Sequence, residues 1–297
     1  MSEQTAGASS GEKAYNPRLE LYKGFWKRFK KNKSALVGGI VVLFFILVAI
    51  FGPMLVSADP NATDITNKLQ PPSAEHWFGT DNYGRDIFSR IIHGTGLTLI
   101  VGFVSVVIGG IVGVLFGIIA GYYGGKVDTI IMRLMDILLA FPGILLALAI
   151  VSVLGGSIQN MIIAIGIFSV PAFARIVRGS TLSVRKLEYI DAMRALGASD
   201  FRIIFKHILP NVLSPIIVQA TLRIATAVLT AAGLSFLGLG AQPPTPEWGA
   251  MLSAGRSYMA ESPHMILIPG IAIVLVVLAF NIFGDGLRDA LDPKANK

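Results

Sequence analysis

The chain alternates between long apolar segments and short polar ones, and this pattern predicts helices that cross a membrane. A helix needs about 20 apolar residues to span roughly 30 Å of hydrocarbon. Six segments have this length: Ala35–Val56, Leu97–Ala120, Thr129–Leu154, Ile158–Val177, Pro215–Leu237 and Met265–Phe283. The predicted fold is all-α, a polytopic membrane protein with six transmembrane helices. Pro142 and Pro171 lie inside two spans and are expected to kink them, because proline donates no backbone N–H.

The second span carries a glycine at every fourth position. These residues are Gly109, Gly113, Gly117 and Gly121. Residues spaced by four lie on one helix face, and small residues let two membrane helices approach closely. We therefore expect this face to pack directly against another helix.

The polar stretch between the fourth and fifth spans predicts a helix-turn-helix. Gly197 follows a first short helix and can adopt the left-handed conformation that ends helices. Ser199 is expected to cap a second helix, which Pro210 should limit. Held at one membrane face by apolar spans, this unit predicts a docking surface. Its candidate residues are Asp191, Ala192, Met193, Arg194, Ala195, Leu196, Gly197 and Ala198.

Composition supports the membrane assignment. Hydrophobic residues make up 53% of the 297 residues and charged residues 14%, about half the charged share of a typical soluble domain. The chain has no cysteine, which excludes disulfides and thiolate metal sites. Its first 34 residues contain no apolar run of the signal-peptide type, so the first span is expected to stay as an anchor.

The Lys and Arg residues predict the orientation of the chain in the membrane. They lie beside the spans, so the net charge of +7 does not indicate a nucleic-acid-binding protein. Residues 1–34 contain eight of them, and residues 175–206 contain seven. The 57–96 loop holds three against five acidic residues, and the 238–264 loop holds only Arg256. Both termini and the helix-turn-helix are therefore expected in the cytoplasm.

Arg223 is the one charge well inside a predicted span. A charge at this depth usually faces a bundle interior or a water-filled cavity. Two interpretations remain open: Arg223 lines a translocation path and attracts a carboxylate, or it pairs with a neighbouring helix or partner subunit. A second group of charges at the cytoplasmic ends of the third and fourth spans predicts an ion-pair cluster that joins these helices. Its members are Arg133, Asp136, Arg175 and Arg178.

Several stretches together resemble one family. In the polar loop, Asp191-Ala192-Met193 stands where the "EAA" loop of ABC-importer permeases has E-A-A; Gly197, Leu209 and Pro210 match, and His207 replaces an isoleucine. The other stretches are FGTDNYGRD at 78–86, AFP at 140–142, LSFLGLG at 234–240, QPPTPEWG at 242–249 and NIFGDGLRDALDP at 281–293. From about residue 25 to 293, the chain is similar to the second ("C-type") permease of dipeptide, oligopeptide, glutathione and nickel ABC importers.

The resemblance implies a type I importer subunit of a bacterial or archaeal cytoplasmic membrane, working by alternating access. It would pair with a second homologous permease, two cytoplasmic ABC ATPases that dock on the polar loop, and an external solute-binding protein. The expected domains are a basic tail (1–34), a first helix with its outer loop (35–96), a permease domain (97–287) with the coupling loop at 179–210, and a C-terminal tail (288–297). No cofactor is expected.

The solute is expected to be a dipeptide or short oligopeptide, with glutathione or nickel as alternatives. The sequence contains no G-x-x-x-x-G-K-[ST] phosphate loop, so ATP hydrolysis would belong to another chain. An ion-coupled secondary transporter is a remote alternative, because such proteins place acidic residues at the midplane of broken helices. An intramembrane enzyme is disfavoured by the missing Ser/His or metal motif.

The loop after the fifth span is expected to meet the solute-binding protein. Its prolines restrict the backbone, and a tryptophan offers an apolar face with a polar edge. A loop packed only on its own spans is the alternative. The candidate contact residues are Gln242, Pro243, Pro244, Glu247 and Trp248.

Overall fold

Helices form the architecture of the part of the chain that the computed structural model describes, which is residue 26 and residues 29–291. Most of the predicted basic tail and the last six residues lie outside it. The α-helices are α1 (Lys33–Leu55), α2 (Ile87–Tyr123), α3 (Gly125–Leu139), α4 (Gly143–Leu154), α5 (Ile158–Arg185), α6 (Glu188–Ala195), α7 (Asp200–Ile203), α8 (Leu209–Phe236), α9 (Trp248–Gly255) and α10 (His264–Leu291).

Five segments are long and apolar enough to cross a membrane as continuous helices. They are α1, α2, α5, α10 and the run from α7 to the end of α8. The sixth predicted span is the pair α3 and α4, which bends by 86° at a short break. The all-α, polytopic fold class is confirmed.

The break between α3 and α4 is sharper than the expected kink at Pro142. Pro142 has extended backbone angles (φ −54°, ψ 129°) and precedes the first residue of α4. Proline disfavours helical geometry in the residue before it and donates no N–H. The chain therefore ends one helix and starts another here.

Helix α2 begins ten residues before the predicted span. The Asp86 carboxylate accepts a hydrogen bond from the backbone N–H of Ser89 and caps this early start. The first turns carry the polar residues Ser89, Arg90 and His93, so hydropathy does not mark them as a span.

The expectation that Pro210 limits the second helix of the polar loop is wrong. Residues Ile204–Ile208 form a π turn, in which the N–H of Leu209 donates to the carbonyl of Ile204. The wider turn accommodates the proline ring beside the preceding turn. Helix α7 therefore continues into the fifth span without a break.

The glycine ladder of α2 packs directly on the backbone of α5, as expected. A Cβ atom built on Gly113 would lie 2.6 Å from the Val170 carbonyl oxygen, and one built on Gly117 would lie 2.6 Å from the Ala174 carbonyl oxygen. Real Cβ atoms essentially never come this close to another heavy atom. The two helices consequently form a tight pair along most of their length.

We expect Gly113→Ala to destabilise the protein by about 1–3 kcal/mol, because its methyl group meets the α5 backbone. Gly179→Ala on α5 is the matched control, since no atom lies within 4 Å of its Cβ position. Alanine ordinarily favours a helix over glycine by roughly 0.5–1 kcal/mol, so the control should be neutral or stabilising. Thermal unfolding of the purified variants in detergent measures both; equal stability of the two would contradict this account of the packing.

Candidate functional site

The helix-turn-helix of the polar loop consists of α6 and α7 joined by a glycine turn. Gly197 has φ +80°. Its N–H donates to the Arg194 carbonyl, and the N–H of Ala198 donates to the Met193 carbonyl. These two bonds form the Schellman motif that ends helices at a left-handed residue. Ser199 then caps α7 by accepting from the N–H of Arg202 at 3.4 Å.

The inner side of this unit is apolar and buried. Ile190 of α6, Ile203 of α7 and Ile208 of the π turn are all fully buried. They pack in one cluster with Ile118 of α2 and Val177 of α5. Burying side chains of this size contributes about 1.5–3 kcal/mol each, so the unit is held firmly on the α2–α5 pair.

The outer side of the same unit is exposed and partly apolar. Leu196 is 87% exposed and Phe201 is 70% exposed. Of the eight candidate docking residues, Asp191, Ala192, Ala195, Leu196 and Gly197 are exposed, while Met193, Arg194 and Ala198 are half-buried. We call the exposed part, with Phe201, the coupling surface. Large exposed apolar side chains make this surface a candidate for contact with a partner protein.

The four charges predicted to form one cluster are arranged differently. Arg175 donates to Asp136 at 2.6 Å, which joins α5 to α3. Arg178 forms a two-bond pair with Asp128, in the first turn of α3. Arg133 forms no ion pair with any residue that the structure describes. Asp128 was missed because it lies 50 residues from its partner and no local pattern links them.

Arg223 lies half-buried on α8, and its guanidinium carbon is 5.9 Å from the centre of the Phe168 ring. This is a cation–π contact with α5. Neither Arg223 nor Gln219, one turn earlier, forms a hydrogen bond or ion pair within the described residues. An acidic partner for Arg223 on a neighbouring helix of the same chain is thus absent from that part of the structure.

The loop after α8 is divided between the surface and the interior. Gln242, Pro243 and Pro244 are exposed. Glu247 and Trp248 are fully buried, at 0% exposure each. The expectation that these last two residues contact an external protein is therefore wrong for this conformation.

Glu247 and Trp248 anchor the loop instead. The Glu247 carboxylate accepts the N–H groups of Gly249 and Ala250 and so caps α9. Burial raises the pKa of this carboxyl group above its ordinary value of 4.5, while the two backbone hydrogen bonds act in the opposite direction. The Trp248 indole N–H donates to the Ile91 carbonyl at 3.1 Å.

A buried charge cluster joins this loop to the first outer loop. Asp81 pairs with Arg85 at 2.6 Å and lies 3.7 Å from Arg90. Arg90 also donates to the Pro60 and Pro244 carbonyls at 2.8 and 3.3 Å. Asp81 of the FGTDNYGRD stretch therefore lies beside the arginine that holds the Pro244 carbonyl, a role that the spacing of the stretch alone does not reveal. No group of three or more His, Asp or Glu side chains among the described residues could hold a metal ion.

Two family models match the chain. The binding-protein-dependent transport system inner membrane component matches residues 113–297, and the N-terminal transmembrane domain of oligopeptide transport permease C matches residues 20–72. The chain belongs to the binding-protein-dependent transport permeases. The predicted family, a C-type permease of peptide and glutathione ABC importers, is confirmed.

Curated relatives cover nearly the whole permease. It is 58% identical over 269 residues to the dipeptide transport system permease protein DppC of Alkalihalophilus pseudofirmus, covering 91% of this chain and 88% of the relative. It is 53% identical over 271 residues to the glutathione transport system permease protein GsiD of Escherichia coli O6:K15:H31, covering 91% and 89%.

Solved structures support the fold. The permease resembles a chain of the inward-facing MetNI methionine ABC transporter with a TM-score of 0.57 and 22% identity, covering 69% of this chain and 98% of that one. A chain of an amino acid ABC transporter gives a TM-score of 0.52 with 16% identity, covering 67% and 92%.

We expect Gly197→Ala to loosen the helix-turn-helix of the permease. The left-handed conformation costs a residue with a Cβ roughly 1–2 kcal/mol; crowding plays no part, since no atom lies within 4 Å of the Cβ position. Gly197→Asn is the matched control, because asparagine tolerates this conformation. Hydrogen–deuterium exchange of residues 188–203 should be faster in the alanine variant only. Equal exchange in both variants would contradict a conformational role for this glycine.

The buried Glu247 should make the permease less stable as the pH rises. Since its folded pKa lies above the unfolded value, the folded chain holds the proton more tightly. Its contribution to stability therefore falls between pH 4.5 and the raised pKa and is constant above it. Glu247→Gln should flatten the dependence of unfolding temperature on pH, and Glu261→Gln, at an exposed position between α9 and α10, should retain it. A Glu247→Gln profile parallel to that of the wild type would refute this assignment.

Proposed function

We propose that the permease imports dipeptides or short oligopeptides across the cytoplasmic membrane by alternating access, driven by two separate ABC ATPases. The coupling surface is the observation that carries the proposal. It is apolar and exposed on the outside, and buried isoleucines fix it to the transmembrane helices on the inside. A partner that changes shape on binding ATP can move the helices through such a surface. The distribution of Lys and Arg supports a cytoplasmic location for both termini and this surface.

The exposed prolines after α8 would meet an external solute-binding protein. Gln242, Pro243 and Pro244 are exposed, and the buried Arg90 donates a hydrogen bond to the Pro244 carbonyl. Glu247 and Trp248 anchor the same loop in the interior. A restrained backbone loses little entropy on binding, which favours a docking role.

Helix α8 would contribute to the solute path, with a second homologous permease on the other side. Gln219, Arg223, Thr226 and Thr230 share one helix face by their spacing, and none of them is buried. At the cytoplasmic end of α8, a cavity of about 470 Å³ is lined by residues that include Asn211, Ser214, Gln219 and Arg288. Among the described residues, Gln219 and Arg223 have no hydrogen-bonding or acidic partner, and such side chains in a membrane segment need water, solute or a partner chain.

The charge on this face supports an anionic or zwitterionic solute. Arg223 would attract the carboxylate of a peptide and repel a nickel cation. Glutathione, which is itself a peptide with two carboxylates, is the second candidate, because the permease is 53% identical to GsiD of Escherichia coli. The dipeptide assignment rests on the 58% identity to DppC of Alkalihalophilus pseudofirmus.

Uptake by the reconstituted importer tests this function. Proteoliposomes would hold the permease with its second permease, two ATPase chains and the binding protein. We expect ATP-dependent uptake of labelled alanyl-alanine to exceed that of glutathione and Ni²⁺. Preferred uptake of glutathione would support the second candidate, and ATP-independent uptake would refute the ATP-driven mechanism.

Arg223→Gln should reduce peptide uptake about tenfold, the effect of losing one hydrogen bond to a charged group. Arg223→Lys is the conservative control and should retain more uptake, because it keeps the positive charge. If Arg223 lines the path, the amount of assembled complex, measured by co-purification, stays normal. A loss of assembled complex would instead show that Arg223 pairs with the second permease, and normal uptake with normal assembly would exclude both roles.

A further inference from the structure

The helix-turn-helix is connected to the transmembrane helices in two different ways. Helix α7 continues through the π turn into α8, so movement of the unit reaches α8 through the backbone. Helix α5 is joined to α6 by the two residues Lys186 and Leu187, but neither α2 nor α5 is continuous with α7. The contacts of α2 and α5 with α7 are side-chain contacts.

Tyr122, at the last turn of α2, provides a directional contact of this kind. Its side chain is 3% exposed, and its hydroxyl donates to the Asp200 carboxylate at 2.6 Å. Asp200 is the first residue of α7. The guanidinium carbon of Arg194, on α6, lies 5.1 Å from the centre of the Tyr122 ring. One side chain of α2 therefore contacts both helices of the helix-turn-helix, α6 and α7, which we call the coupling unit.

We propose that Tyr122 is a positioning residue that transmits movement of the coupling unit to the α2–α5 pair. This inference rests on the proposed function, since it concerns how ATPase docking reaches the helices. The isoleucine cluster also joins the unit to α2 and α5, but apolar contacts lack direction and permit sliding. A hydrogen bond to a carboxylate is directional and fixes the register between α7 and α2.

The glycine ladder extends the effect of this hydrogen bond to α5. Because α2 and α5 pack backbone to backbone at Gly113, Gly117 and Gly121, a displacement at Tyr122 moves both helices. Movement then reaches α8 directly through the backbone, and Tyr122 adds a directional route to the α2–α5 pair beside the α5–α6 link and the isoleucine cluster. Without the hydroxyl, α8 responds to ATP while the α2–α5 pair follows incompletely.

Tyr122→Phe tests the hydroxyl group alone, because it removes this group and keeps the ring that contacts Arg194. In the reconstituted importer, we expect alanyl-alanine uptake per ATP hydrolysed to fall about threefold to tenfold, the range expected for one lost hydrogen bond. This ratio does not depend on the amount of complex, so poor assembly alone does not change it. Tyr123→Phe is the matched control: Tyr123 is 51% exposed, and its hydroxyl makes no hydrogen bond within the described residues. An unchanged ratio in Tyr122→Phe, or an equal fall in Tyr123→Phe, would overturn the inference.

A double-mutant cycle with Asp200→Ala tests whether Tyr122 acts through Asp200. Each single variant should lower the ratio, and the double variant should lower it no further than the stronger single one. Fully additive effects would overturn the proposed contact.

Trypsin cleavage of the permease without partners separates this inference from the proposed function. Cleavage after the exposed residues Lys186 and Arg202 should be faster in Tyr122→Phe and Asp200→Ala than in the wild type or Tyr123→Phe. Equal cleavage in all four proteins would overturn the inference whether or not the importer is active. A wild-type importer without ATP-dependent uptake, combined with the expected cleavage pattern, would refute the proposed function and leave the Tyr122–Asp200 contact in place.

Discussion

The direct packing of α2 on α5 is the constraint on which the rest of the structure depends. Gly113, Gly117 and Gly121 bring the two backbones so close that no side chain fits between them at these positions. Lipid is as apolar as the helix surfaces, so in a membrane this association depends on close contact and not on the exclusion of water. The paired helices form the base on which Ile190, Ile203 and Ile208 seat the coupling unit.

The charges near the ends of the spans and the charge within α8 differ in how they are paired. The Asp81–Arg85–Arg90 cluster and the Arg178–Asp128 pair join loops or helices close to the membrane surfaces. Gln219 and Arg223, in contrast, have no hydrogen-bonding or acidic partner among the described residues, and Arg223 contacts only an aromatic ring. Because an unpaired charge is costly in hydrocarbon, this contrast supports a wet path or a partner chain along one face of α8.

The sequence was sufficient for features that depend on composition and local spacing. The six apolar segments, the glycine ladder, the left-handed Gly197 and the Ser199 cap all follow from properties of neighbouring residues. Features that depend on distant contacts could not be predicted in this way. The proline-rich loop around Trp248 predicts a surface position for it. Its indole N–H instead donates to the Ile91 carbonyl, 157 residues away. The Tyr122–Asp200 hydrogen bond joins residues 78 positions apart, and Asp128 pairs with Arg178 across 50.

The π turn explains why the sequence-based expectation at Pro210 was wrong, and it bears on the proposed mechanism. Proline ends a helix when its ring clashes with the preceding turn, but Ile204–Ile208 widens the turn and lets the helix continue. The continuation joins the coupling unit to α8 without a loop that would absorb movement. Breaks in the regular helical hydrogen-bond ladder also allow a helix to bend. The π turn therefore lies where bending would redirect movement of the coupling unit along α8, the helix that carries Arg223.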